Sequence, residues 1–259
     1  MSNPLAPSTG TPPRIAVFTD FDGTLVEIAE TPDGVDVPAE LTEQLDRAIH
    51  EFEHAFAVIT GREIADIDSF LSPLRLPVAG AHGAQRRRAD GSMEPLDEAL
   101  IRQARDIAQE MAPLLETHPD LILEEKEGAV ALHFRQAPDL EDTCRTSMEV
   151  AVAARSDFTL VPGKMVFEAR PKSFDKGAAL RAFMQEEPFV GRTPIFIGDD
   201  TTDEDGFLAA QELGGIGIKL GAGDTIARMR IADVRSVYAL LRGLGQIAQR
   251  EDETAAGTH

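Results

Sequence analysis

The sequence contains no tryptophan, a single tyrosine and a single cysteine, and it is poor in basic residues. Cys144 cannot form an internal disulfide alone, so nothing in the chain requires an oxidising compartment. It recurs with Leu140 and Met148 at helical spacing, which indicates a small core residue and not a catalytic thiol. With 25 Lys and Arg against 45 Asp and Glu, the net charge of −20 opposes binding to nucleic acids and anionic membranes.

Long apolar runs are also missing. No stretch is long enough to span a bilayer, and the first residues have neither the basic start nor the apolar run of a signal peptide. We therefore expect a cytoplasmic protein, and a monomer. Residues 1–13 and 251–259 are predicted to be polar tails. At 259 residues the chain exceeds one average domain, so we expect one core with a sizeable insertion, or two domains.

The stretch from Val17 to Leu25 joins an apolar segment to two carboxylates and a glycine. Residues 15–18 predict a buried strand that holds Asp20 and Asp22 at the carboxyl edge of a sheet, where open parallel sheets bind ligands. We expect both carboxylates to point the same way, and they would repel each other without a cation or a shared proton. The alternative is a strand that ends in a polar turn, with Gly23 at positive φ.

Two further segments repeat the order of strand, polar tip and helix. Residues 55–59 predict a strand that ends in Thr60, whose hydroxyl could hold a phosphoryl oxygen or could instead cap the following helix. Residues 76–84 form a third apolar segment around His82, which is either a ligand or acid, or a turn residue. The arginine run at residues 86–88 is interpreted as a solvated face.

The pattern changes after Asp97. A long amphipathic helix from Leu100 to Leu114 precedes an alternating strand at residues 129–135, a second helix at residues 140–152, and a hairpin with its turn at Pro162 and Gly163. This order predicts an α+β insertion. We place the inserted domain at residues 98–171, between two parts of an α/β core with a parallel sheet at residues 14–97 and 172–250.

The second part of the core carries another polar cluster. Asp175 can cap a helix whose first residue is Lys176, and a cation there gains nothing from the helix dipole, which hints at a functional role. The predicted strand at residues 194–198 runs into five acidic residues between Asp199 and Asp205. Such a cluster favours Mg²⁺ as the partner of Asp20 and Asp22. Residues 215–219 and 232–234 continue the α/β alternation.

Four signals follow one another along the chain: the motif DFDGT at residues 20–24, Thr60 at a strand end, Lys176 at a helix start, and the motif GDDTTD at residues 198–203. Together they resemble the haloacid dehalogenase superfamily of phosphatases, and the α+β insertion resembles the cap domain of that superfamily. The chain is further similar to the trehalose-6-phosphate phosphatase family. The segments that carry this second resemblance are residues 79–84 (AGAHGA), 124–126 (EEK), 132–135 (LHFR), 163–164 (GK), 168–171 (EARP) and 198–205 (GDDTTDED).

The resemblance implies a role for each site residue. Asp20 would be the nucleophile that forms an aspartyl phosphate, and Asp22 the general acid and then base. Mg²⁺ would be held by Asp20, Asp199 and the backbone carbonyl of Asp22, while Lys176 and Thr60 grip phosphoryl oxygens. Asp200 and Asp203 would orient metal-bound water and Lys176. The expected substrate-binding residues are Gly61, Arg62, His82, Glu124, Lys126, Arg135, Lys164 and Glu168.

Several alternatives remain open at this point. Each charged cap residue could equally be a surface charge on an alternating strand. The substrate is expected to be a small sugar phosphate, with sucrose phosphate or mannosyl-3-phosphoglycerate as alternatives to trehalose 6-phosphate. A phosphomutase is conceivable, and a non-catalytic module that senses a sugar phosphate is the alternative from another class. The segments near Asp97 and Pro171 are the expected hinges of the cap.

Overall fold

The computed structural model describes residues 14–29 and 34–256, with only the backbone course described for residues 246–256. The predicted tail at residues 1–13 and the end of the second tail at residues 257–259 lie outside the described residues. The elements, in chain order, are β1 (Ile15–Thr19), α1 (Leu41–Glu51), β2 (Phe56–Ile59), α2 (Ile64–Phe70), β3 (Val78–Gly80), β4 (Gln85–Arg87), α3 (Glu98–Thr117), β5 (Ile122–Lys126), β6 (Ala129–His133), α4 (Glu141–Ala153), β7 (Phe158–Gly163), β8 (Val166–Pro171), α5 (Lys176–Phe183), β9 (Thr193–Gly198), α6 (Glu204–Glu212), β10 (Ile216–Leu220), β11 (Met229–Ile231) and α7 (Val234–Ala256).

The larger sheet has the strand order β11-β10-β9-β1-β2-β3-β4. All neighbouring pairs are parallel except β3 and β4, which are antiparallel. Because β1 is a central strand and the chain moves from it first to β2 and later to β9, the strand order reverses at β1. A crevice therefore opens at the carboxyl end of β1, where ligands bind in sheets of this kind.

Helices cover both faces of this sheet. Val17 faces a cluster built with α1, α2 and α7, whereas its neighbour Phe18 faces α5 and α6 on the opposite side. Both side chains are fully buried. Strands buried on both faces need continuous apolar sequence, and this explains why residues 15–18, 55–59 and 194–198 were recognisable as strands.

A second, antiparallel sheet with the strand order β5-β6-β8-β7 forms the cap. One face packs against α3 and α4 through a separate apolar cluster that includes Ile107, Leu132, Met148 and Phe167. Cys144 lies in this cluster with no exposed surface, and burial raises the pKa of its thiol, which confirms it as a core residue. The opposite face of the sheet carries the polar side chains that line the cleft described below.

Four expectations are corrected by the structure. The strand β5 was missed, because it is an edge strand with mostly exposed side chains and therefore lacks an apolar pattern. The hairpin turn lies at Lys164 and Met165, not at Pro162 and Gly163, since Gly163 pairs with Val166 across a two-residue loop. Residues 229–231, not 232–234, form the last strand. The last helix continues through residues 251–256, which the sequence analysis assigned to a tail.

The arginine run is also not a solvated face. Arg86 and Arg87 are only 6% and 4% exposed. The guanidinium of Arg86 donates to Glu94 and Glu186 at 2.5 and 2.8 Å, and that of Arg87 makes two 2.7 Å hydrogen bonds to Asp68. Only Arg88 of the three is substantially exposed. Pairing with distant carboxylates is what permits this burial, and no local pattern reveals such partners.

The described helices include none that combines the length and the apolar character needed to cross a membrane.

Candidate active site

The carboxyl ends of β1, β2 and β9 lie side by side and bring together the polar residues that follow β1 and β2. The amide of Asp20 donates to the carbonyl of Ile197 on β9 at 2.9 Å, and the amide of Thr60 donates to that of Ala79 at 2.8 Å. Asp20 is 5% exposed and Thr60 is fully buried. The two side chains thus stand at one edge of the sheet, as the sequence predicts.

Lys176 connects the two acidic motifs. Its ammonium donates to Oδ1 of Asp20 at 2.8 Å and to Oδ1 of Asp203 at 2.6 Å, and it is only 3% exposed. Burial lowers the pKa of Lys176, but the two carboxylates more than offset this and raise it above its usual range. Burial, opposed by Lys176 and aided by Asp203, raises the pKa of Asp20 to about 7. The site therefore holds more negative charge than one ammonium balances.

Asp203 is fully buried and acts as an anchor for the acidic turn. Its Oδ2 accepts hydrogen bonds from the amides of Asp199 and Asp200, each at 2.9 Å. Its other oxygen accepts from Lys176, so both oxygens are occupied. The side chain of Asp200 is exposed. Asp203 thereby fixes both the turn after β9 and the position of Lys176.

Carboxylate oxygens of Asp20, Asp199 and Asp203 lie within 4.8 Å of one another and could hold a cation. Because the oxygens of Asp203 already accept three hydrogen bonds, Asp20 and Asp199 offer the freer ligands. Burial and the neighbouring carboxylates raise the pKa of Asp199. Buried carboxylates without matching positive charge are the ligand type that Mg²⁺ prefers.

Gly23 makes room for one of these ligands. It has φ +77°, and a Cβ built there would lie 2.2 Å from Oδ2 of Asp199. Within the described turn, no N–H donates to the backbone carbonyl of Asp22, whereas that of Phe21 accepts from three amides. The carbonyl of Asp22 is thus available as an oxygen ligand. The residues present fit a hard divalent cation.

The side chain of Asp22 does not share a cation or a proton with Asp20. The strand β1 ends at Thr19, so Asp22 lies in the following turn, where strand alternation no longer sets its direction. Its carboxylate instead accepts a bidentate pair from Arg62, with Nε at 2.6 Å and Nη2 at 2.8 Å. The guanidinium of Arg62 also stacks 5.0 Å from the ring centre of Phe70. Each of the two carboxylates is thus balanced by its own cation, Asp20 by Lys176 and Asp22 by Arg62.

The loop after β2 packs closely on the loop after β3. Thr60 does not cap α2, because the helix begins at Ile64 with Glu63 in the cap position, and the Thr60 hydroxyl accepts instead from the amide of Arg62 at 3.2 Å. The amide of His82 donates to the carbonyl of Thr60 at 3.0 Å. A Cβ on Gly61 would lie 2.8 Å from the imidazole of His82.

His82 is a turn residue with φ +57°, and its side chain also faces the cleft. Burial lowers the pKa of His82 to about 4, and the charges of Arg170 and Lys176 act in the same direction. The imidazole is therefore neutral near pH 7. A neutral ring offers one donor and one acceptor to a ligand.

A cavity of about 420 Å³ separates the cap from the core at this edge. Five predicted site residues line it: Gly61, His82, Glu124, Lys126 and Glu168. The ammonium of Lys126 donates to Glu168 at 3.0 Å across the cap sheet. The cleft is thus a polar, concave surface of a size suited to a small molecule.

Two predicted cap residues lie elsewhere. Arg135 is exposed and lines a neighbouring cavity of about 410 Å³, to which Glu124 also contributes. His133 contacts Oε2 of Glu124 at 2.9 Å in this second cavity. Lys164 is exposed in the turn between β7 and β8 and does not line the cleft.

Sequence reasoning missed three residues of the site. Lys219, at the end of β10, is 5% exposed and donates to the backbone carbonyl of Asp199. A lysine at the end of an apolar strand was the available signal. Arg170 and Phe174 line the cleft beside Glu168. Arg170 alternates with buried residues on β8, so the strand pattern alone could not mark it, and the available signal was its place in the segment at residues 168–171.

Comparisons with known proteins agree with this arrangement. The family model described as trehalose-phosphatase matches residues 18–235. The trehalose-6-phosphate phosphatase of Escherichia coli (strain K12) is 39% identical over 255 residues, which cover 98% of this chain and 95% of that protein.

Solved structures share the fold. A trehalose-6-phosphate phosphatase from Aspergillus fumigatus matches with a TM-score of 0.70 at 24% identity, over 90% of this chain and 93% of that one. A haloacid dehalogenase-like hydrolase from B. subtilis matches with a TM-score of 0.59 at 16% identity, over 88% and 99%. The predicted α/β core of haloacid dehalogenase type with an inserted cap is confirmed. Since the family model spans most of the sequence and the bacterial relative nearly all of it, the chain is a phosphatase that belongs to the trehalose-phosphatase family.

Proposed function

We propose that this protein hydrolyses trehalose 6-phosphate to trehalose and phosphate through an aspartyl-phosphate intermediate. The observation that carries the proposal is the buried carboxylate of Asp20, which accepts a hydrogen bond from Lys176 and lies close to the carboxylate of Asp199. The family membership supports the phosphatase reaction, and the polar cap face supports a sugar as the group that leaves.

Asp20 attacks the phosphorus atom, and the bond from phosphorus to the sugar oxygen breaks. Covalent capture divides one difficult hydrolysis into two easier displacements. Lys176 and the hydroxyl of Thr60 hold phosphoryl oxygens during both steps. Lys176 is suited to this because its second partner, Asp203, keeps it in place when Asp20 is consumed.

Asp22 donates a proton to the departing sugar oxygen and then takes one from the water that attacks the phosphoenzyme. In the structure Arg62 grips both oxygens of this carboxylate, so its direction is fixed. Arg62 must yield one of these contacts when Asp22 carries a proton. We therefore assign Arg62 the task of orienting Asp22, in addition to any contact with substrate.

Asp20, Asp199 and the carbonyl of Asp22 would hold Mg²⁺. When bound, the ion would offset the repulsion between the Asp20 carboxylate and the phosphate dianion. Asp203 fixes the turn that carries Asp199, because it accepts hydrogen bonds from the amides of Asp199 and Asp200. The side chain of Asp200 is exposed in the same turn, where it would orient metal-bound water.

The sugar would bind against the cap. Glu124, Lys126 and Glu168 face the cleft, where carboxylates and an ammonium can pair with hydroxyl groups, and His82 and Gly61 close it from the core side. Arg135 would contact the sugar from the second cavity, which Glu124 also lines. Lys164 would reach the sugar only after the cap moves. We propose that the cap comprises residues 98–171 and rotates at Asp97 and Pro171, with the core formed by residues 14–97 and 172–250.

The test is phosphate release from trehalose 6-phosphate, sucrose 6-phosphate, mannosyl-3-phosphoglycerate and glucose 6-phosphate, with Mg²⁺ and with a chelator. We expect strong, Mg²⁺-dependent preference for trehalose 6-phosphate, and loss of turnover in Asp20→Asn with substrate binding retained. Preference for another substrate would discard the assignment of the cap residues, and hydrolysis in the chelator would discard the metal. Unchanged turnover in Asp20→Asn would overturn the mechanism.

A further inference from the structure

Arg170, on the cap strand β8, is an unusual cation within the cleft. Its Nε is buried and has no hydrogen-bond partner. Across the described residues, no ion pair or hydrogen bond is found for its guanidinium. The buried arginines Arg86, Arg87 and Arg192 are all paired with carboxylates. A buried N–H without a partner costs free energy, which points to a ligand at this guanidinium.

The surroundings of Arg170 belong to the core site. Its charge contributes to the low pKa of His82, second only to burial. His82 in turn packs on Gly61, next to Thr60. Arg170 also lines the cleft together with Phe174, which lies two residues before Lys176 in the chain. Arg170 thus lies on the cap side of the cleft, and the core side is lined by Gly61, which follows Thr60, and by His82.

The remaining charges of the cleft favour an anion as the ligand. Lys126 already pairs with Glu168, and Glu63, Glu124, Glu125 and Glu127 add further negative charge. A neutral sugar hydroxyl would not need an uncommitted cation in such a place, whereas a phosphate dianion would be repelled without one. Arginine also presents two parallel donors that match phosphate oxygens.

We propose that Arg170 binds the phosphoryl group of the substrate from the cap side, opposite Lys176. This inference rests on the proposed function and adds a phosphate-binding residue that the cap supplies. One consequence is that phosphate binding joins the cap to the core, because Thr60 and Lys176 lie in the core and Arg170 lies in the cap.

The test compares Arg170→Gln, Arg170→Lys and the control Arg102→Gln, an exposed cap arginine paired with Glu98. Inorganic phosphate and trehalose are each titrated into the Mg²⁺-loaded protein by calorimetry. We expect Arg170→Gln to weaken phosphate binding at least about tenfold, as for one charge-assisted hydrogen bond, with trehalose binding unchanged. Arg170→Lys should fall between the wild type and Arg170→Gln, and Arg102→Gln should match the wild type.

Phosphate affinity in Arg170→Gln within twofold of the wild type would overturn the proposal, and so would an equal loss of trehalose affinity. If Arg170→Gln loses its native near-UV circular dichroism, Arg170→Lys decides by the same criteria. Phosphate binding is measured without turnover. If the wild type does not hydrolyse trehalose 6-phosphate but its phosphate affinity depends on Arg170, the substrate assignment fails while this inference stands.

Discussion

Replacing Asp20 by asparagine should make the protein more stable at pH 8 in the absence of metal. Asp20 is 5% exposed, and burial, with the charge of Asp203 adding to it, raises its pKa from 3.8 to about 7. The folded state therefore binds a proton more tightly than the unfolded chain. Stability from this group is fully present below pH 3.8 and is lost as the pH rises through 7. Asparagine resembles the protonated form at every pH.

The difference of about three pH units sets a ceiling of roughly 4 kcal/mol for the gain at pH 8, at about 1.4 kcal/mol per unit. The variant also removes one partner of the buried ammonium of Lys176, which keeps Asp203 at 2.6 Å. That loss reduces the net gain, and we expect about 1–3 kcal/mol at pH 8. The gain should shrink steadily as the pH falls from 8 towards 4.

The assay is urea unfolding of wild type and Asp20→Asn at pH 8, 6 and 4.5 with a chelator present. Asp46→Asn on the exposed side of α1 serves as the control and should change little at any pH. Adding Mg²⁺ should stabilise the wild type more than Asp20→Asn, because the cation binds the ionised carboxylate. Equal or lower stability of Asp20→Asn at pH 8 without metal would refute the charge balance argued here.

Three further predictions concern acid stability, a buried arginine and the cation site. His82 stays neutral in the folded state down to about pH 4, whereas in the unfolded chain it gains a proton below pH 6.5, so the protein loses stability as the pH falls from 6.5 to 4. His82→Asn should remove roughly 1–2 kcal/mol of this loss, measured by urea unfolding at pH 7 and 4.5. The same dependence of stability on pH in the variant and the wild type would contradict this prediction. Arg87→Met leaves Asp68 without its two 2.7 Å hydrogen bonds, and we expect a loss of about 2 kcal/mol in the free energy of unfolding, against under about 0.5 for Arg102→Met. Gly23→Ala and Gly91→Ala both place alanine at positive φ, so each variant should lose about 1–2 kcal/mol of stability. Only the new methyl group at residue 23 would collide with the Asp199 carboxylate, so only Gly23→Ala should lose Mg²⁺ affinity and activity. Equal activity in the two glycine variants would contradict the cation site.

The elements that the sequence revealed are those whose burial is complete. Strands covered on both faces, such as β1 and β9, appear as apolar runs, and their polar tips mark the sheet edge on which Asp20, Thr60 and Asp199 lie. The order of these tips along the chain was enough to identify the superfamily. The amphipathic helices of the cap were equally visible, because one face of each packs on the cap sheet.

Features that depend on distant partners could not be predicted in this way. The strand β5 owes its place to pairing with β6, since its own side chains are mostly exposed. Arg87 is buried because Asp68, in another element, accepts its hydrogen bonds. The carboxylate of Asp22 faces Arg62 because the turn after β1 redirects it. Each of these depends on a tertiary contact that leaves no local pattern.

The most direct test of the central claim is the stereochemical course at phosphorus when the wild-type protein hydrolyses the phosphorothioate analogue of trehalose 6-phosphate, made chiral with two oxygen isotopes, in water enriched in the third. Transfer to Asp20 followed by attack of water consists of two in-line displacements, so the account predicts retention of configuration. Direct attack of water on the substrate is a single displacement. Inversion would therefore contradict a covalent role for Asp20, whatever the identity of the preferred sugar.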